Sequence, residues 1–418
     1  MPKKEVKVLV EKELKMAAKD KYTSGMAFFI VLASLLFLSN SAIAETRTEI
    51  YVRFFVEEYT DQASGYDSKV SCRVIALERV KRLLLEKWGM VLEGEMKARN
   101  FSLTKNQIIP LTAGLIRAEI IDEKWDGKTY YLKAGMGADP RDLIILIYNL
   151  RRDLNKTQEL EETRKKADEA IEEVERLRRE LGGPDAKEKN FVQYNRAINT
   201  LSAIDWMEKG FAWGIVGEQK EAIGAFTKVI ELDPKNEKAF YNRGESYRIL
   251  GNLWLAIRDY DRAIELHPKD AKPYGVRGVA YGSLGEHRQA IKDYDKAIDI
   301  DPKDAEIYVA RGISYRKLGN YQQSIRDYDQ AIQLNFEDAT VYFLRGFSYY
   351  NLGDCGQAIK DYDKAIELDP QYAMAYGARG MAYLKLGDQH KGFEELKIAA
   401  RLGDEGAENY LKSEGIIW

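Results

Sequence analysis

A unit of 34 residues occurs six times in succession between residues 203 and 406. Its copies are aligned by glycines spaced 34 residues apart, namely Gly210, Gly244, Gly278, Gly312, Gly346 and Gly380. Each of these glycines is followed three residues later by Trp or Tyr and seven residues later by a second glycine. A period of roughly 20 to 50 residues is typical of repeat architectures, because one short unit cannot bury its apolar face alone whereas stacked units can. The period therefore predicts an array of stacked units.

Four further positions recur around the first glycine of the unit. An aromatic residue stands four positions before it, a small residue twelve after, a second aromatic sixteen after and a proline twenty-four after. In the second copy these residues are Phe240, Ala256, Tyr260 and Pro268. This pattern resembles the tetratricopeptide repeat family. The resemblance implies an all-α array in which each copy forms two antiparallel helices and the copies stack into a right-handed superhelix.

The ends of the units and of the array follow from the same pattern. Proline is expected to stop the second helix of a copy, since it has no amide hydrogen and clashes with the preceding turn. The fourth copy departs from the pattern with Ser324 and Phe336, and the sixth has Gly392 and no proline. Capping helices are predicted over residues 184–202 and 407–418, because the outer face of a terminal repeat must be covered.

Charged residues also recur with the period. Five copies carry an arginine just before the first glycine: Arg243, Arg277, Arg311, Arg345 and Arg379. The same copies carry an acid one residue before the second aromatic or its equivalent: Asp259, Asp293, Asp327, Asp361 and Glu395. The first copy lacks both and has Lys209 and Ala225 instead. This joint occurrence predicts a charge-matched ladder between neighbouring helices, with a structural role rather than a ligand-binding one.

Composition narrows the classes of function. A chain of 418 residues is long enough for two or three domains. Its net charge of -3 provides no basic field for nucleic acid. Cys72 and Cys355 fall in different predicted domains, so they do not indicate a disulfide framework. The three histidines all lie in the repeats or their turns, and neither a metal site nor a cofactor is predicted.

The N-terminal 44 residues are typical of an export signal. An apolar run over residues 26–39 is followed by Ala42-Ile43-Ala44, a small-residue cleavage pattern. The run is shorter than the ~20 apolar residues of a membrane span. We expect cleavage before Glu45 and a periplasmic or envelope-associated mature protein without membrane insertion. The alternative is an inner-membrane anchor formed by uncleaved residues 26–44. The lysine-rich leader is long, so translation could begin at Met16 rather than at Met1.

Residues 45–138 are predicted to form a small α+β domain in the order β-α-α-β-β. The first strand is predicted from an alternating apolar series: Ile50, Val52, Phe54 and Val56. A long helix opened by Asp67-Ser68 is expected to bury Val70, Val74, Leu77, Val80, Leu84 and Trp88, and Thr104 is expected to cap a shorter helix. Asp126-Gly127 between two β-like runs predicts a hairpin with positive φ at both turn residues.

The segments at residues 68–89 and 111–140 resemble the small α/β domain of exported flagellar assembly protein T. The resemblance implies that this domain is a part for assembly and not a catalyst. Gly135-Met136-Gly137 lacks the third glycine of a dinucleotide-binding turn. A structural role is therefore predicted for these glycines.

Asp139-Pro140 is predicted to open a long helix over residues 139–183. Apolar or small residues within it are spaced three and four apart, as in the seam of a coiled coil: Leu160, Thr163, Ala167, Ala170, Val174, Leu177 and Leu181. Two interpretations remain open. The helix is either a solvated spacer between two domains or a coiled coil through which copies of the chain associate over residues 160–181.

No catalytic motif is found, since the chain has no HExxH, no GxSxG and no P-loop, and no catalytic residue is predicted. The first hypothesis is a non-enzymatic scaffold of the bacterial cell envelope whose repeats bind a protein or peptide partner. The alternative is an envelope enzyme or glycan-binding protein with its site in the α+β domain and repeats that recruit substrate. Family members that clamp a C-terminal carboxylate have a cluster of Lys, Asn and Arg that is absent here, which disfavours an adaptor for chaperone tails.

The resemblance implies that the first helix of each copy lines the concave groove with its second, fifth, ninth, twelfth and thirteenth residues. The predicted partner-binding residues are Phe211, Tyr241, Arg248, Val279, Val309, Ile313, Arg316, Phe343, Phe347, Tyr350, Met381 and Leu384. They are mainly apolar or aromatic, and a large exposed apolar surface usually marks an interaction site. Replacing Phe343 and Phe347 by serine is therefore expected to abolish partner binding and to leave the fold intact.

Overall fold

A computed structural model of the chain describes residues 52–99, 103–152, 154–182 and 188–418. The predicted export signal lies outside the described residues. Within them, no helix combines the length and the apolar character that a membrane crossing requires. The chain divides into two compact units, an N-terminal unit that ends at Ala212 and a repeat unit over Trp213–Trp418.

The N-terminal unit contains three strands and five helices among its described residues. In chain order these are β1 (Arg53–Gln62), α1 (Lys69–Ala98), α2 (Lys105–Ala113), β2 (Glu119–Trp125), β3 (Thr129–Ala138), α3 (Pro140–Arg152), α4 (Leu154–Leu181) and α5 (Glu188–Ile215). The strands form an antiparallel sheet in the order β1-β3-β2. Helix α5 continues three residues beyond the boundary between the units. The predicted order of strands and helices is confirmed.

Local sequence signals account for where these elements begin. Ser68 caps α1 and forms a capping box with Ser71. Asp139 accepts a hydrogen bond from the Arg141 amide at 2.8 Å, and Pro140 is the first residue of α3. In the β2–β3 hairpin only Gly127 has a positive φ, of 93°. The prediction of positive φ at both turn residues is therefore wrong, although the hairpin itself is confirmed.

The buried face of β1 is opposite to the predicted one. Phe55 points toward α1 and meets the Trp88 ring edge-on, with ring centroids 5.2 Å apart, whereas the predicted series Val52, Phe54 and Val56 is exposed. Phe54 lies over Gly135 and Gly137 of β3, where an added Cβ would come within 2.5 Å of its ring. The two glycines therefore make room for an aromatic side chain on the open face of the sheet, because no residue larger than glycine would fit beneath it.

Helix α1 buries most of the side chains predicted for its inner face. Val80, Leu84 and Trp88 are fully buried. Val70 is exposed at the start of the helix, so its predicted burial is wrong. The inner face instead includes Cys72 and Ile75, which are buried one turn or less further along.

The predicted coiled-coil seam is buried, but against this chain's own helices. Ala170, Ile171, Val174, Leu177 and Leu181 of α4 pack with Ile75 of α1 and with Tyr194, Ala197, Ile198 and Leu201 of α5. The segment is divided into α3 and α4, and both helices pack against α2. Neither the solvated spacer nor the self-associating helix describes it, because the apolar seam finds its partners within the N-terminal unit.

The repeat unit is a succession of helix pairs. After the end of α5 they are α6 (Gln219–Leu232), α7 (Glu237–Ile249), α8 (Leu253–Leu266), α9 (Ala271–Ser283), α10 (His287–Ile300), α11 (Ala305–Lys317), α12 (Tyr321–Gln333), α13 (Ala339–Leu352), α14 (Cys355–Leu368), α15 (Ala373–Lys385), α16 (Gln389–Arg401) and α17 (Glu405–Ser413). The first helices of copies two to six are α7, α9, α11, α13 and α15. The second helices α8, α10, α12 and α14 each contact the first helix of their own copy and that of the next.

The two recurrent glycines have different structural roles. At the first, the second aromatic of the copy lies directly against the helix, so that a Cβ at Gly312 would stand 2.7 Å from the Tyr328 ring. The second glycine ends the first helix in a left-handed conformation, with φ between 77° and 88° in all six copies. Both positions therefore exclude larger side chains, the first for lack of space and the second because L-residues disfavour positive φ.

The departures of the fourth copy are compensated locally. The Ser324 hydroxyl is fully buried and lies 2.9 Å from the Ser348 hydroxyl. In place of a proline stop, α12 ends before Asn335, which has a φ of 64°. Phe336 then packs against the cluster around Tyr328. The C-terminal cap is also present, since Ala407 and Leu411 of α17 are buried against the sixth copy.

Candidate protein-binding surface

Eleven of the twelve predicted partner-binding residues lie on the first helices of copies two to six. We call these eleven side chains the first-helix surface: Tyr241, Arg248, Val279, Val309, Ile313, Arg316, Phe343, Phe347, Tyr350, Met381 and Leu384. Val279 is exposed and the other ten are half-buried. Phe211 is buried within the N-terminal unit, so it cannot contact a partner and does not belong to this surface.

Several of these side chains also hold neighbouring copies together. The Phe343 ring packs between Tyr362, at 5.9 Å, and Tyr372, at 5.2 Å between centroids. Val309 and Ile313 pack against the buried cluster of Tyr328, Val341 and Leu344. Because Phe343 packs between helices, the Phe343→Ser, Phe347→Ser double variant is now expected to lose stability, contrary to the prediction from the sequence.

Phe347 and Tyr350 present their rings to cations from the adjacent copies. The Arg316 guanidinium lies over the Phe347 ring, 5.3 Å from its centroid. The Lys385 ammonium lies 4.3 Å from the Tyr350 centroid and donates to the Tyr350 carbonyl at 3.1 Å. Such cation–π pairs contribute about 0.5–1 kcal/mol at exposed sites. One cation–π pair thus links the fourth copy to the fifth, and a second pair links the fifth copy to the sixth.

The second copy carries an ion pair on this surface. Glu245 accepts hydrogen bonds from Arg248 Nε at 3.1 Å and from Arg248 Nη2 at 2.9 Å. The Tyr260 hydroxyl donates to the same carboxylate. The hydrogen bonds that Arg248 donates to Glu245 raise the pKa of Arg248. Burial together with the Glu245 charge raises the pKa of Tyr260. One carboxylate therefore satisfies both donors.

The fourth copy has the same two donors without the carboxylate. Arg316 and Tyr328 occupy the positions of Arg248 and Tyr260, but Ile313 replaces the glutamate. Among the residues that the structure describes, neither Arg316 Nε nor the Tyr328 hydroxyl has a hydrogen bond of normal geometry, and both atoms are buried. Burial raises the pKa of Tyr328, and the nearby Arg316 charge partly opposes that rise. Tyr328 was not predicted as a site residue, although comparing copies two and four position by position would have identified it.

The predicted ladder is confirmed and has a second row of acids. Arg311 donates to Asp327 of its own copy, from Nε at 3.0 Å and from Nη2 at 2.7 Å, and to Asp295 of the preceding copy at 2.6 Å. The same arrangement recurs around Arg277, Arg345 and Arg379. The sequence motif behind it is Asp-Tyr-Asp, whose first acid binds the arginine of its own copy and whose second binds that of the next.

The ladder is a structural feature of the array. Its arginine side chains are 13–19% exposed, and each lies 5.4–5.6 Å from the aromatic ring three residues before it. Burial disfavours the charged guanidinium, but Asp327 and Asp295 outweigh it and raise the pKa of Arg311. At the start of the ladder Thr227 replaces the second acid and accepts from Arg243 Nη1 at 3.0 Å.

The N-terminal unit contains a buried charge cluster that the sequence analysis missed. The Lys81 ammonium lies 2.8 Å from Asp205 and 2.5 Å from Glu208. Arg164 pairs with Glu78 and lies 3.6 Å from Glu208. The cluster joins α1, α4 and α5, and burial raises the pKa of Glu208 against the opposing effect of Lys81 and Arg164. These groups are too deeply buried to contact a ligand, so they stabilise the unit.

Three other features bear on binding chemistry. An open pocket of about 620 Å³ lies between copies five and six, and its lining includes Asp338, Thr340, Leu368 and Tyr372. In the described ranges no three His, Cys, Asp or Glu residues are grouped as a metal site requires. Cys72 and Cys355 are both buried and free, as expected from their separate positions.

Family comparisons agree with the helix pairs. A model described as TPR repeat matches residues 278–317, 314–353 and 348–387, and one described as tetratricopeptide repeat matches residues 237–270. The array is built of tetratricopeptide repeats. No curated protein matches the chain. The resemblance of the N-terminal domain to flagellar assembly protein T stays a prediction.

Three of the similar solved structures each align with less than half of this chain. A MamA structure is 25% identical and covers 41% of this chain and 94% of its own, with a TM-score of 0.39. YrrB, described as a TPR protein with an unusual peptide-binding site, is 24% identical and covers 46% and 99%, with a TM-score of 0.42. The C-terminal part of a TPR repeat-containing protein from Cytophaga hutchinsonii is 20% identical and covers 46% and 77%, with a TM-score of 0.42.

Proposed function

We propose that this protein is a non-enzymatic scaffold whose repeats bind an extended segment of a partner protein along the first-helix surface. The observation that carries the proposal is the row of cations and aromatic rings formed by Arg316, Phe347, Tyr350 and Lys385. Aromatic and arginine side chains supply most of the binding energy in many protein interfaces. The apolar neighbours Val279 and Met381 extend the row on both sides.

The packing of the array supports the choice of this face. Consecutive first helices contact one another at three successive junctions, α9 with α11, α11 with α13 and α13 with α15, more closely than consecutive second helices do among the described residues. In a curved stack of helix pairs, the helices that approach most closely lie on the inner side. The first-helix surface is therefore the side on which a bound segment touches several copies at once.

The bacterial cell envelope is proposed as the setting. Support comes from the apolar run at residues 26–39 and the Ala42-Ile43-Ala44 pattern, both typical of a cleaved export signal. N-terminal sequencing of the protein from an envelope fraction tests this proposal. A mature chain that begins at Glu45 is expected, whereas recovery of residues 26–44 on the purified protein would contradict release from the membrane.

Site-specific photocrosslinking in living cells tests the binding surface. A photoreactive phenylalanine analogue at Phe347 is expected to form crosslinks to a partner protein. The matched control carries the analogue at Lys360, which is exposed on the second helix of the same copy. Crosslinks at Lys360 but not at Phe347 would move the binding surface to the second helices and refute the proposal.

A single substitution, Phe347→Ser, provides the second test. Phe347 lies outside the buried clusters of the array, so the variant is expected to keep the melting temperature within a few degrees. Loss of a ring that anchors an interface typically weakens binding by ~2 kcal/mol or more. An unchanged affinity for the crosslinked partner would show that this surface does not bind it.

A further inference from the structure

Copies two and four of the array differ at one position on the first-helix surface. Both carry an arginine at the twelfth residue, Arg248 or Arg316, and a tyrosine at the twenty-fourth, Tyr260 or Tyr328. The ninth residue is Glu245 in copy two and Ile313 in copy four. Each tyrosine ring lies against the first glycine of its copy, with a hypothetical Cβ 2.7 Å from the ring in both cases. The two copies therefore place the same pair of donors in matching positions.

In copy two the chain itself supplies the acceptor. The Glu245 carboxylate binds two nitrogens of Arg248 and also accepts from the Tyr260 hydroxyl. This geometry shows that an arginine and a tyrosine at these two positions can hold one carboxylate between them. Hydrogen bonds to an ionised group are shorter and stronger than those between neutral groups.

In copy four the same donors are left without an acceptor. Tyr328 is 0% exposed, and within the described part of the chain neither its hydroxyl nor Arg316 Nε has a hydrogen bond of normal geometry, although the two groups lie near each other. Among the described residues, no carboxylate oxygen lies within 4.0 Å of the Arg316 guanidinium, as an ion pair would require. Buried donors without partners are rare and costly in folded proteins. The last turn of α11 adds Lys317 to the local positive charge.

We propose that Arg316 and Tyr328 form a receptor for the side-chain carboxylate of an Asp or Glu in the bound partner segment. This inference rests on the proposed function and specifies the chemistry of the partner. A side-chain carboxylate is the occupant because Glu245, itself a side chain, fills the equivalent place in copy two. Ile313, Val309 and Phe347 around the site provide apolar contacts for the residues on either side of the acid.

Binding at this receptor includes a movement of one side chain. The Arg316 guanidinium is half-exposed and lies on the Phe347 ring, while its Nε and the Tyr328 hydroxyl are covered. The incoming carboxylate meets the exposed end of Arg316 first. A rotation of that side chain then turns Nε toward the ligand and uncovers the Tyr328 hydroxyl, a rotamer change of the kind common at interfaces.

The test compares two peptide libraries on the full chain. Both consist of acetylated and amidated peptides with Leu, Phe or Val at the flanking positions, and they differ only in a central Glu or Gln. The wild-type chain is expected to select the Glu library over the Gln library by at least tenfold. Arg316→Met is expected to remove this preference, and Tyr328→Phe to reduce it, with both variants checked for folding by circular dichroism.

Ile313→Glu provides the sharpest variant, because it recreates in copy four the arrangement of copy two. Its new carboxylate is expected to pair with Arg316 and Tyr328, to raise the melting temperature and to abolish the preference for Glu peptides. The matched control is Val279→Glu, which adds the same charge at the same position of copy three, where Gly282 replaces the arginine. The control is expected to keep the preference for Glu peptides.

The outcomes separate this inference from the proposed function. Equal binding of both libraries to the wild type and to Ile313→Glu would refute the receptor and leave the scaffold function standing. If a Gln peptide with a free C-terminal carboxylate outcompetes the blocked Glu peptides, the occupant is a chain terminus and the proposed side chain is wrong. If neither library binds the wild-type chain, the receptor and peptide binding by the first-helix surface both fail.

Discussion

The two units of this protein bury charged side chains in different ways. In copies three to six of the repeat unit, the arginine meets one acid of its own copy and one of the preceding copy, each sixteen residues away. In the N-terminal unit, Lys81 and Arg164 meet acids from three helices at separations that follow no period. The ladder arginines keep partial contact with solvent, whereas Lys81 is almost fully enclosed.

The two kinds of ion pair differ in how much stability is lost when one charged residue is replaced. The second-row ladder acids can be hydrated after they lose their arginine, because they are 39–52% exposed, although first-row acids such as Asp327 are buried. A buried acid of the Lys81 cluster, such as Glu208, cannot be hydrated in this way. Removing one partner of a buried pair leaves an uncompensated charge. The ion pairs of the arginine ladder should therefore tolerate substitution better than those of the buried Lys81 cluster.

The largest effect is expected from Lys81→Met. This substitution leaves Asp205 and Glu208 facing each other without their ammonium partner, and breaking such a buried pair costs about 3–5 kcal/mol. Urea unfolding combined with hydrogen exchange of the α1 and α5 amides measures the loss. Lys97→Met is the control, since Lys97 is exposed on the same helix, and an equally small effect for both would contradict an essential role of the cluster.

A smaller loss is expected from Arg311→Met, up to ~3 kcal/mol because two acids lose their partner. Arg243→Met should cost less, since Arg243 pairs with a single acid and with the Thr227 hydroxyl. Arg288→Met, at an exposed position of α10, serves as the control. Thermal unfolding of the three variants should rank them in that order, and equal melting temperatures would place the ladder among solvated charges.

Acid should act on Asp205 and on the ladder acid Asp327 in opposite directions. Burial raises the pKa of Asp205, but Lys81 and Lys209 outweigh it and lower the pKa to about 2, below the unfolded value near 3.8. The stability from Asp205, about 2 kcal/mol, is therefore present above about pH 4 and is lost as the pH falls toward 2. Comparing wild type with Asp205→Asn in urea over this range measures it, and a pH-independent difference would contradict the shift.

For the ladder acid Asp327 the sign is reversed. Burial raises its pKa despite Arg311, so its contribution is largest below the unfolded pKa and declines as the pH rises through the raised value. The difference between wild type and Asp327→Asn should therefore change with pH in the direction opposite to that of Asp205→Asn. Parallel pH profiles for the two variants would contradict the opposite pKa shifts of Asp205 and Asp327.

The smallest effect is expected from extending the ladder by one acid. Thr227→Asp places a carboxylate where copies two to five have the second acid of the Asp-Tyr-Asp motif. The gain should be about 0.5 kcal/mol, the usual size for a partly exposed pair. Thr227→Asn is the control, because asparagine has the shape of aspartate without its charge. An equal gain in stability for both variants would assign the effect to packing rather than to the ion pair.

Much of the repeat unit could be predicted from the sequence because its contacts are local and repeated. The spacing of the glycines, the aromatic residues and the ladder arginines repeats the same short-range geometry in each copy, so one pattern describes all of them. The site residues were predicted less well. Phe211 and Phe343 follow the same positional rule as Phe347, and only their surroundings show that the first is buried and the second packs between helices.

The sequence by itself determined the helix pairs, the turns at the second glycines, the charge ladder and the order of the elements in the N-terminal domain. Tertiary structure alone decided which face of β1 is buried, since Phe54 and Phe55 are equally apolar and only the glycines of β3 distinguish their sides. It also decided that the α4 seam packs inside the chain, and that Lys81 and Arg164 share their acids. The physical reason is that these contacts join segments far apart in sequence, and their partners depend on which surfaces the fold brings together.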